Sequence, residues 1–418
     1  MTIDPTTRSR LSRRVQDVPP SGIRKFFDVL ASMPDVISLG VGEPDFDTPR
    51  VIVEAGVEAL RSGRTHYTSN YGTLELREAL STHLQRRYDV AYDPTTEMVV
   101  TVGASEALAV TLAAIVDPGD EVVVAEPTYV AYVPDIIFSG GTPVFVPCRP
   151  DDGWQLDPEA VEAAITPRTK ALFLGFPNNP TGAVLDPDRI RAIAEIAERH
   201  DLLVISDEIY DRLVYAGHRH EAFSARPGMR DRTVLLGGFS KSYAMTGWRV
   251  GYVCAPADLL DGIVKVHQYI IMSAPTAAQD AALAGLQDAD AEVERMVAEY
   301  DRRRRLFVDG LNRIGLDTVE PRGAFYAFPD ISSTGLSSGE FAERLLREQE
   351  VAMIPGDAFG ASGEGYVRAS IAPAYETLEE ALVRIERFVS VLWWGPQIRR
   401  RQRSRTSRSS ASRSKSSS

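Results

Sequence analysis

Residues 237–252 read Gly-Gly-Phe-Ser-Lys-Ser-Tyr-Ala-Met-Thr-Gly-Trp-Arg-Val-Gly-Tyr, with a single lysine, Lys241, in the turn at their centre. One apolar run, Thr233–Leu236, precedes the turn and another, Val250–Cys254, follows it. Glycines and small hydroxyl residues flank Lys241, and Arg249 comes eight residues later. The whole chain has five lysines: Lys25, Lys170, Lys241, Lys265 and Lys415. A lysine enclosed by apolar groups or set beside another cation loses proton affinity and can form an imine with a carbonyl. An ordinary solvated loop lysine with a structural arginine fits the spacing equally well.

Outward from this turn, short β-branched runs alternate with helical patterns. Candidate strands are Met98–Val102, Glu121–Ala125, Thr142–Val146, Ala171–Leu174, Leu203–Ser206 and the two runs already named. Near-continuous apolar character marks strands covered on both faces. Between them, Ser105–Val116, Pro158–Ile165 and Asp188–Arg199 have helical spacing, the last opening on Asp-Pro-Asp. The alternation predicts an α/β fold, a mostly parallel seven-stranded sheet with helices on both sides. After about residue 280 the pattern changes. Helices over Ala291–Ile314, Ser338–Glu350 and Thr377–Leu392 surround short strands near Phe325–Phe328 and Gly365–Ser370, which predicts a smaller α+β domain. The expected division is an N-terminal segment 1–47 packed on the small domain and a substrate loop, a large domain 48–282, a small domain 283–396 and a tail 397–418.

The formal net charge of -12 is unevenly spread. The last twenty residues hold eight of the 46 basic residues and no acid, leaving 38 basic against 58 acidic residues in the remainder, a balance of -20. A saline source and an arginine-rich codon usage explain this acidic, lysine-poor body equally well. The Ser/Arg tail is of low complexity and cannot bury a core. The acidic body argues against nucleic acid as a partner. Two cysteines, Cys148 and Cys254, fit a reducing cytoplasm, and no apolar run approaches a membrane span.

Several other segments concentrate polar groups where strands end. Val204-Ile205-Ser206-Asp207-Glu208-Ile209-Tyr210 runs an apolar strand into two acids, and carboxylates at such an end face the ligand crevice of a parallel sheet. A helix N-cap is the plain alternative. Thr101-Val102-Gly103-Ala104-Ser105-Glu106-Ala107 leads a strand into a helix whose first amides can hold an anion. Asn178-Asn179-Pro180-Thr181-Gly182 reads first as a turn. Gly365-Tyr366-Val367-Arg368-Ala369-Ser370 sets an arginine in a strand, where its planar fork suits a carboxylate; a surface salt bridge is the alternative.

Taken together and in this order, these segments resemble the class I/II aminotransferases of fold type I, the aspartate and aromatic aminotransferase superfamily, over roughly residues 15–390. The resemblance implies pyridoxal phosphate (PLP) as cofactor, held as a Schiff base on Lys241, which also shuttles the substrate α-proton. It implies that Asp207 pairs with the ring nitrogen, and that Tyr210 and Asn179 bond the ring hydroxyl. It places the phosphate on Gly103, Ala104, Ser105 and Arg249, and a stacking ring at Tyr129, with Tyr132 left as a core aromatic. Substrate carboxylate is implied at Arg368, Asn179 and the backbone of Gly42, in the loop Val36–Phe46. Tyr67, in Thr65-His66-Tyr67, matches the tyrosine that reaches the neighbouring subunit's phosphate, which implies a homodimer with shared sites. Where some relatives have a phosphate-binding serine three residues before the lysine, this chain has Gly238.

The expected activity is transamination between an L-amino acid and a 2-oxo acid, 2-oxoglutarate above all, by a ping-pong route. Aspartate transamination and a PLP-dependent C–S or β-lyase are the alternatives, with a PLP-binding regulator behind them. Some dicarboxylate users carry a lysine where Ser105 stands, and Ser21–Phe27 with Thr65–Tyr67 looks more like aromatic-using archaeal relatives. No metal is expected: His218 and His220 would be half a site, and a surface turn is the simpler reading.

Overall fold

The computed structural model describes residues 10–19 and 36–392. The basic tail, Lys25 and the segment Ser21–Phe27 lie outside them. The first strand, β1 (Ile37–Ser38), is followed by β2 (Met98–Thr101), β3 (Glu121–Glu126), β4 (Thr142–Pro147), β5 (Thr169–Gly175), β6 (Leu203–Asp207), β7 (Thr233–Gly238) and β8 (Gly251–Cys254). Strands β2 to β8 form one seven-stranded sheet in the order β2-β8-β7-β6-β5-β3-β4, parallel except for β8.

The apolar runs of the inner strands are continuous because both faces of the sheet are covered there, while the edge strand β4 is partly exposed. Val123, Leu172, Leu174 and Val204 pack on one side with Ile190, Ile193 and Ala197 of the helix Pro187–Arg199. Val122, Ala171, Phe173, Ile205 and Val234 face the other side, against the helices Gly103–Ile115 and Ala257–Ile270. Successive residues of a strand point to opposite faces, so neither side tolerates a polar alternate.

Beyond residue 290 the chain is organised around a long helix, Asp290–Ile314, which Gly315 ends in the left-handed conformation. Short strands follow: β9 (Tyr326–Ala327), β10 (Val351–Ala352), β11 (Ile354–Pro355) and β12 (Val367–Ser370). Strands β11-β12-β9 form an antiparallel sheet, packed with the helices Ser338–Gln349 and 375–392. A capping box starts the first of these helices: Ser337 accepts from the Glu340 amide, and Glu340 accepts from the Ser337 amide. Strand β1 pairs in parallel with β10, which ties residues 37–38 to this smaller unit. The expected packing of the N-terminal segment does not extend to the helix Arg13–Asp17. There the Arg14 guanidinium donates to the Phe138 carbonyl at 2.6 Å, on a helix beside the large sheet. Among the described residues, no helix is long and apolar enough to cross a membrane.

Candidate active site

Strand direction gathers the polar groups at one edge of the large sheet. Asp207 ends β6, Gly103 follows β2 by two residues, and Lys241 follows β7 by three. Strand β8 runs the other way, so Arg249, just before it, comes to the same edge; Gly238 pairs with Gly251. Here the sheet and the smaller unit enclose a cavity of about 450 Å³. Its lining includes Gly42, Ala104, Ser105, Tyr129, Asn179, Asp207, Tyr210, Lys241, Arg249 and Arg368.

At the floor, the Asp207 carboxylate accepts from the Tyr132 hydroxyl at 2.8 Å and from the Ile209 amide at 3.1 Å. Burial pushes its proton affinity up to about 6, against the two hydrogen bonds that lower it. Tyr132, expected as a plain core aromatic, is buried but spends its hydroxyl on this acid. The next acid, Glu208, turns away from the cavity, toward the Ser206 hydroxyl (2.8 Å), the Phe223 amide (3.1 Å) and His220 (2.7 Å). The surface-turn expectation is therefore wrong for His220. Its side chain is buried against Glu208, which is enclosed beneath the strand end and raises the proton affinity of the ring. His218 is exposed, and no cluster of three candidate metal ligands occurs among the described residues.

Lys241 donates to the Gly42 carbonyl at 2.7 Å. Burial draws its proton affinity down to about 8, with Glu43 opposing and Arg368 and Arg249 assisting the shift. Arg249 has a left-handed backbone (φ 57) and donates to the Thr246 carbonyl at 2.9 Å. Its guanidinium lies where a side chain on Gly103 would be, since a Cβ there would fall 2.5 Å from Nη2. Gly103 thus brings a cation against the start of the helix Gly103–Ile115, whose first amides lack intrahelical acceptors.

On the other wall, Arg368 of β12 is fully enclosed. It donates to Asn179 Oδ1 at 2.9 Å and to the Gly40 carbonyl at 2.6 Å, while its Nε has no partner. Its guanidinium lies over the rings of Tyr326 (4.5 Å) and Phe359 (4.8 Å). Asn178 keeps to the turn, accepting from the Thr181 amide and hydroxyl. The Gly42 loop is anchored from behind, where Arg303 donates to Asp45 at 2.7 Å. Tyr210 is buried with its hydroxyl 2.9 Å from that of Tyr326, and Tyr129 meets Tyr132 edge-on at 5.4 Å. Of the candidate site residues from sequence, Gly103 lies behind the lining, against Arg249, and Tyr67 stands apart from the cavity, 82% exposed. Sequence reading missed Gly40, Tyr132 and Tyr326.

Residues 34–385 match the family model described as aminotransferase class I and II. The chain belongs to this family. It is 47% identical to the aspartate aminotransferase of Pyrococcus abyssi, over 90% of this chain and 97% of that protein. It is 45% identical to aromatic-amino-acid aminotransferase 2 of Thermococcus litoralis, again over 90% and 97%. The crystal structure of an aromatic aminotransferase from Pyrococcus horikoshii superposes with a TM-score of 0.84 at 46% identity, covering 87% of this chain and 98% of that one. The fold is thus that of the fold type I aminotransferases, and the chain is a transaminase. Enzymes of class I and II generally depend on pyridoxal phosphate.

Proposed function

We propose that this transaminase uses pyridoxal phosphate to move the amino group of an L-amino acid, aromatic by preference, to 2-oxoglutarate by a ping-pong route. The observation that carries the reading is the pairing in one cavity of Lys241, with its weakened hold on a proton, and Arg368, a buried cation with no acid beside it. The donor set fits the cofactor. A buried carboxylate, Asp207, is available for the ring nitrogen, and Tyr210 and Asn179 are available for the ring hydroxyl. Arg249, Ser105 and the amides of Gly103 and Ala104 supply the phosphate end, and Tyr129 supplies a ring face. Bound there, pyridoxal phosphate supplies an electron-withdrawing ring that accepts and returns an amino group.

The residues' tasks follow from their surroundings. Lys241 would hold the cofactor through its amine, and that amine is the group placed to move the proton at the substrate α-carbon. Tyr132 and the Ile209 amide fix the carboxylate of Asp207, which would stay ionised if a protonated ring nitrogen were bound beside it. Arg368 and Asn179 hold the α-carboxylate of either substrate, with Gly42 adding a backbone contact. Residues 283–396 form the smaller domain beside the large domain 48–282. Two copies associate, each lending Tyr67 to the other's phosphate end. An apolar surface supports this: Tyr67 and Tyr269 are 82% and 85% exposed, near Ile270 and Met272, and Thr276 bonds the His66 carbonyl. We place the enzyme in the cytoplasm, in keeping with two free cysteines.

The substrate preference rests on the cavity lining. Among its described residues the cations are Lys241, Arg249 and Arg368, each already occupied, and Ser105 offers no charge to a second carboxylate. Tyr129, Tyr132, Leu108 and Ile209 suit a ring. In the test, Lys241→Ala loses both borohydride-trapped pyridoxal phosphate and transamination while staying folded. Wild type gives higher kcat/KM for phenylalanine and tyrosine than for aspartate. A trapped adduct on another lysine defeats the site assignment, and faster aspartate turnover defeats the substrate preference alone.

A further inference from the structure

Tyr326 lies in the cavity wall without any of the tasks given above. It stands on β9 of the smaller sheet, while Tyr210 follows β6 of the larger one, and their hydroxyls meet at 2.9 Å. Both rings are buried and cross edge-to-face, with centroids 5.9 Å apart. Among the described residues, neither hydroxyl has another hydrogen-bond partner. A Cβ on Gly42 would fall 2.1 Å from the Tyr326 oxygen, so that glycine leaves the hydroxyl its space. The Arg368 guanidinium over the Tyr326 ring completes the link between the carboxylate end of the cavity and Tyr210.

Burial pushes both phenols up, so each keeps its proton at neutral pH. Two hydroxyls carry two hydrogens, and the contact between them uses one. Were Tyr210 the donor, it would have no hydrogen left for a ligand. With Tyr326 as donor, the Tyr210 hydrogen is free to face an anionic oxygen in the cavity, and the bond Tyr210 accepts makes it a stronger donor. We propose that Tyr326 is a positioning residue, donating to Tyr210 so that Tyr210 presents its hydrogen to the cofactor's ring oxygen. This inference rests on the pyridoxal-phosphate reading above.

Tyr326→Phe removes the hydroxyl and keeps the ring beneath Arg368. The measurement is the pH midpoint of the visible absorption of protein loaded with pyridoxal phosphate, without substrate. A donor to the ring oxygen stabilises its anion and lowers that midpoint, so weakening the donor raises it. Tyr326→Phe is expected to move the midpoint up by about 0.2–0.5 pH unit, less than Tyr210→Phe, because it weakens one hydrogen bond and does not remove it. Added to Tyr210→Phe, it should move nothing further, because it acts through that hydroxyl. An unmoved midpoint in Tyr326→Phe, or the same shift in both backgrounds, overturns the inference. Wild-type protein that takes up no pyridoxal phosphate overturns the functional reading itself, a failure visible before any variant is made.

Discussion

Arg304 and Arg368 are both buried, yet their surroundings are opposite. On the helix Asp290–Ile314, Arg304 meets two carboxylates, Asp301 at 2.7 Å and Glu320. On β12, Arg368 meets, among the described residues, only neutral oxygens and the faces of rings. Enclosing a cation without a counter-charge is costly, and a protein that needed only stability would supply an acid or replace the arginine with an apolar side chain. A cation that serves the fold arrives already neutralised. One that serves a ligand leaves its counter-charge to be delivered.

The comparison makes its largest claim about activity. Arg368→Ala should lower kcat/KM by about 10²–10⁴-fold, the range for removing one side of an enclosed charge pair. The melting temperature should hold or rise, because an uncompensated charge has been taken out. A marked fall in melting temperature would show that Arg368 holds the fold, and the contrast with Arg304 would collapse.

A smaller effect concerns pH. With Lys241 drawn down to about 8, the neutral amine gains as pH rises: its fraction at pH 8 is about fifty times that at pH 6. Pyridoxal-phosphate uptake by the cofactor-free protein, followed by absorbance, should accelerate accordingly. Below about 6, protonation of Asp207 removes its carboxylate as well. Arg368 is one of the charges depressing Lys241, so Arg368→Ala should move the uptake midpoint upward. An unchanged midpoint would mean that the charge of Arg368 is screened from the lysine.

The smallest effect belongs to the neutralised arginine. Arg304→Met should lower stability by about 2 kcal/mol in denaturant titration, less than a wholly enclosed pair because Glu320 reaches solvent. The kcat/KM of the folded enzyme should not change. A catalytic loss matching that of Arg368→Ala would mean that the two arginines do not divide the work as described.

The sheet was legible because strands covered on both faces cannot alternate polar and apolar residues, which makes the inner strands apolar runs; the partly exposed edge strand β4 was legible from its β-branched and aromatic residues instead. The candidate residues Asp207, at the end of β6, Lys241, just past β7, and Arg368, inside β12, stood out because each is a charge where an apolar pattern stops or is broken. The partners of these residues left no local trace. Tyr132 bonds Asp207 across 75 positions, Tyr326 meets Tyr210 across 116, and the Gly40 carbonyl meets Arg368 across 328. No periodicity encodes such pairings. His220 was misread because His-Arg-His resembles a solvated turn, although an enclosed Glu208 implies a missing donor nearby.

The reversed strand β8 has a kinetic consequence. Since the chain leaves β7 and re-enters the sheet at the same edge, Lys241 and Arg249 share the one loop between Gly238 and Gly251. The Phe239 ring, tilted against Tyr243 and edge-on to Tyr252, pins that loop to the core. One local opening of that segment would displace both side chains together, so in hydrogen exchange residues 239–250 should open as one unit and not as two.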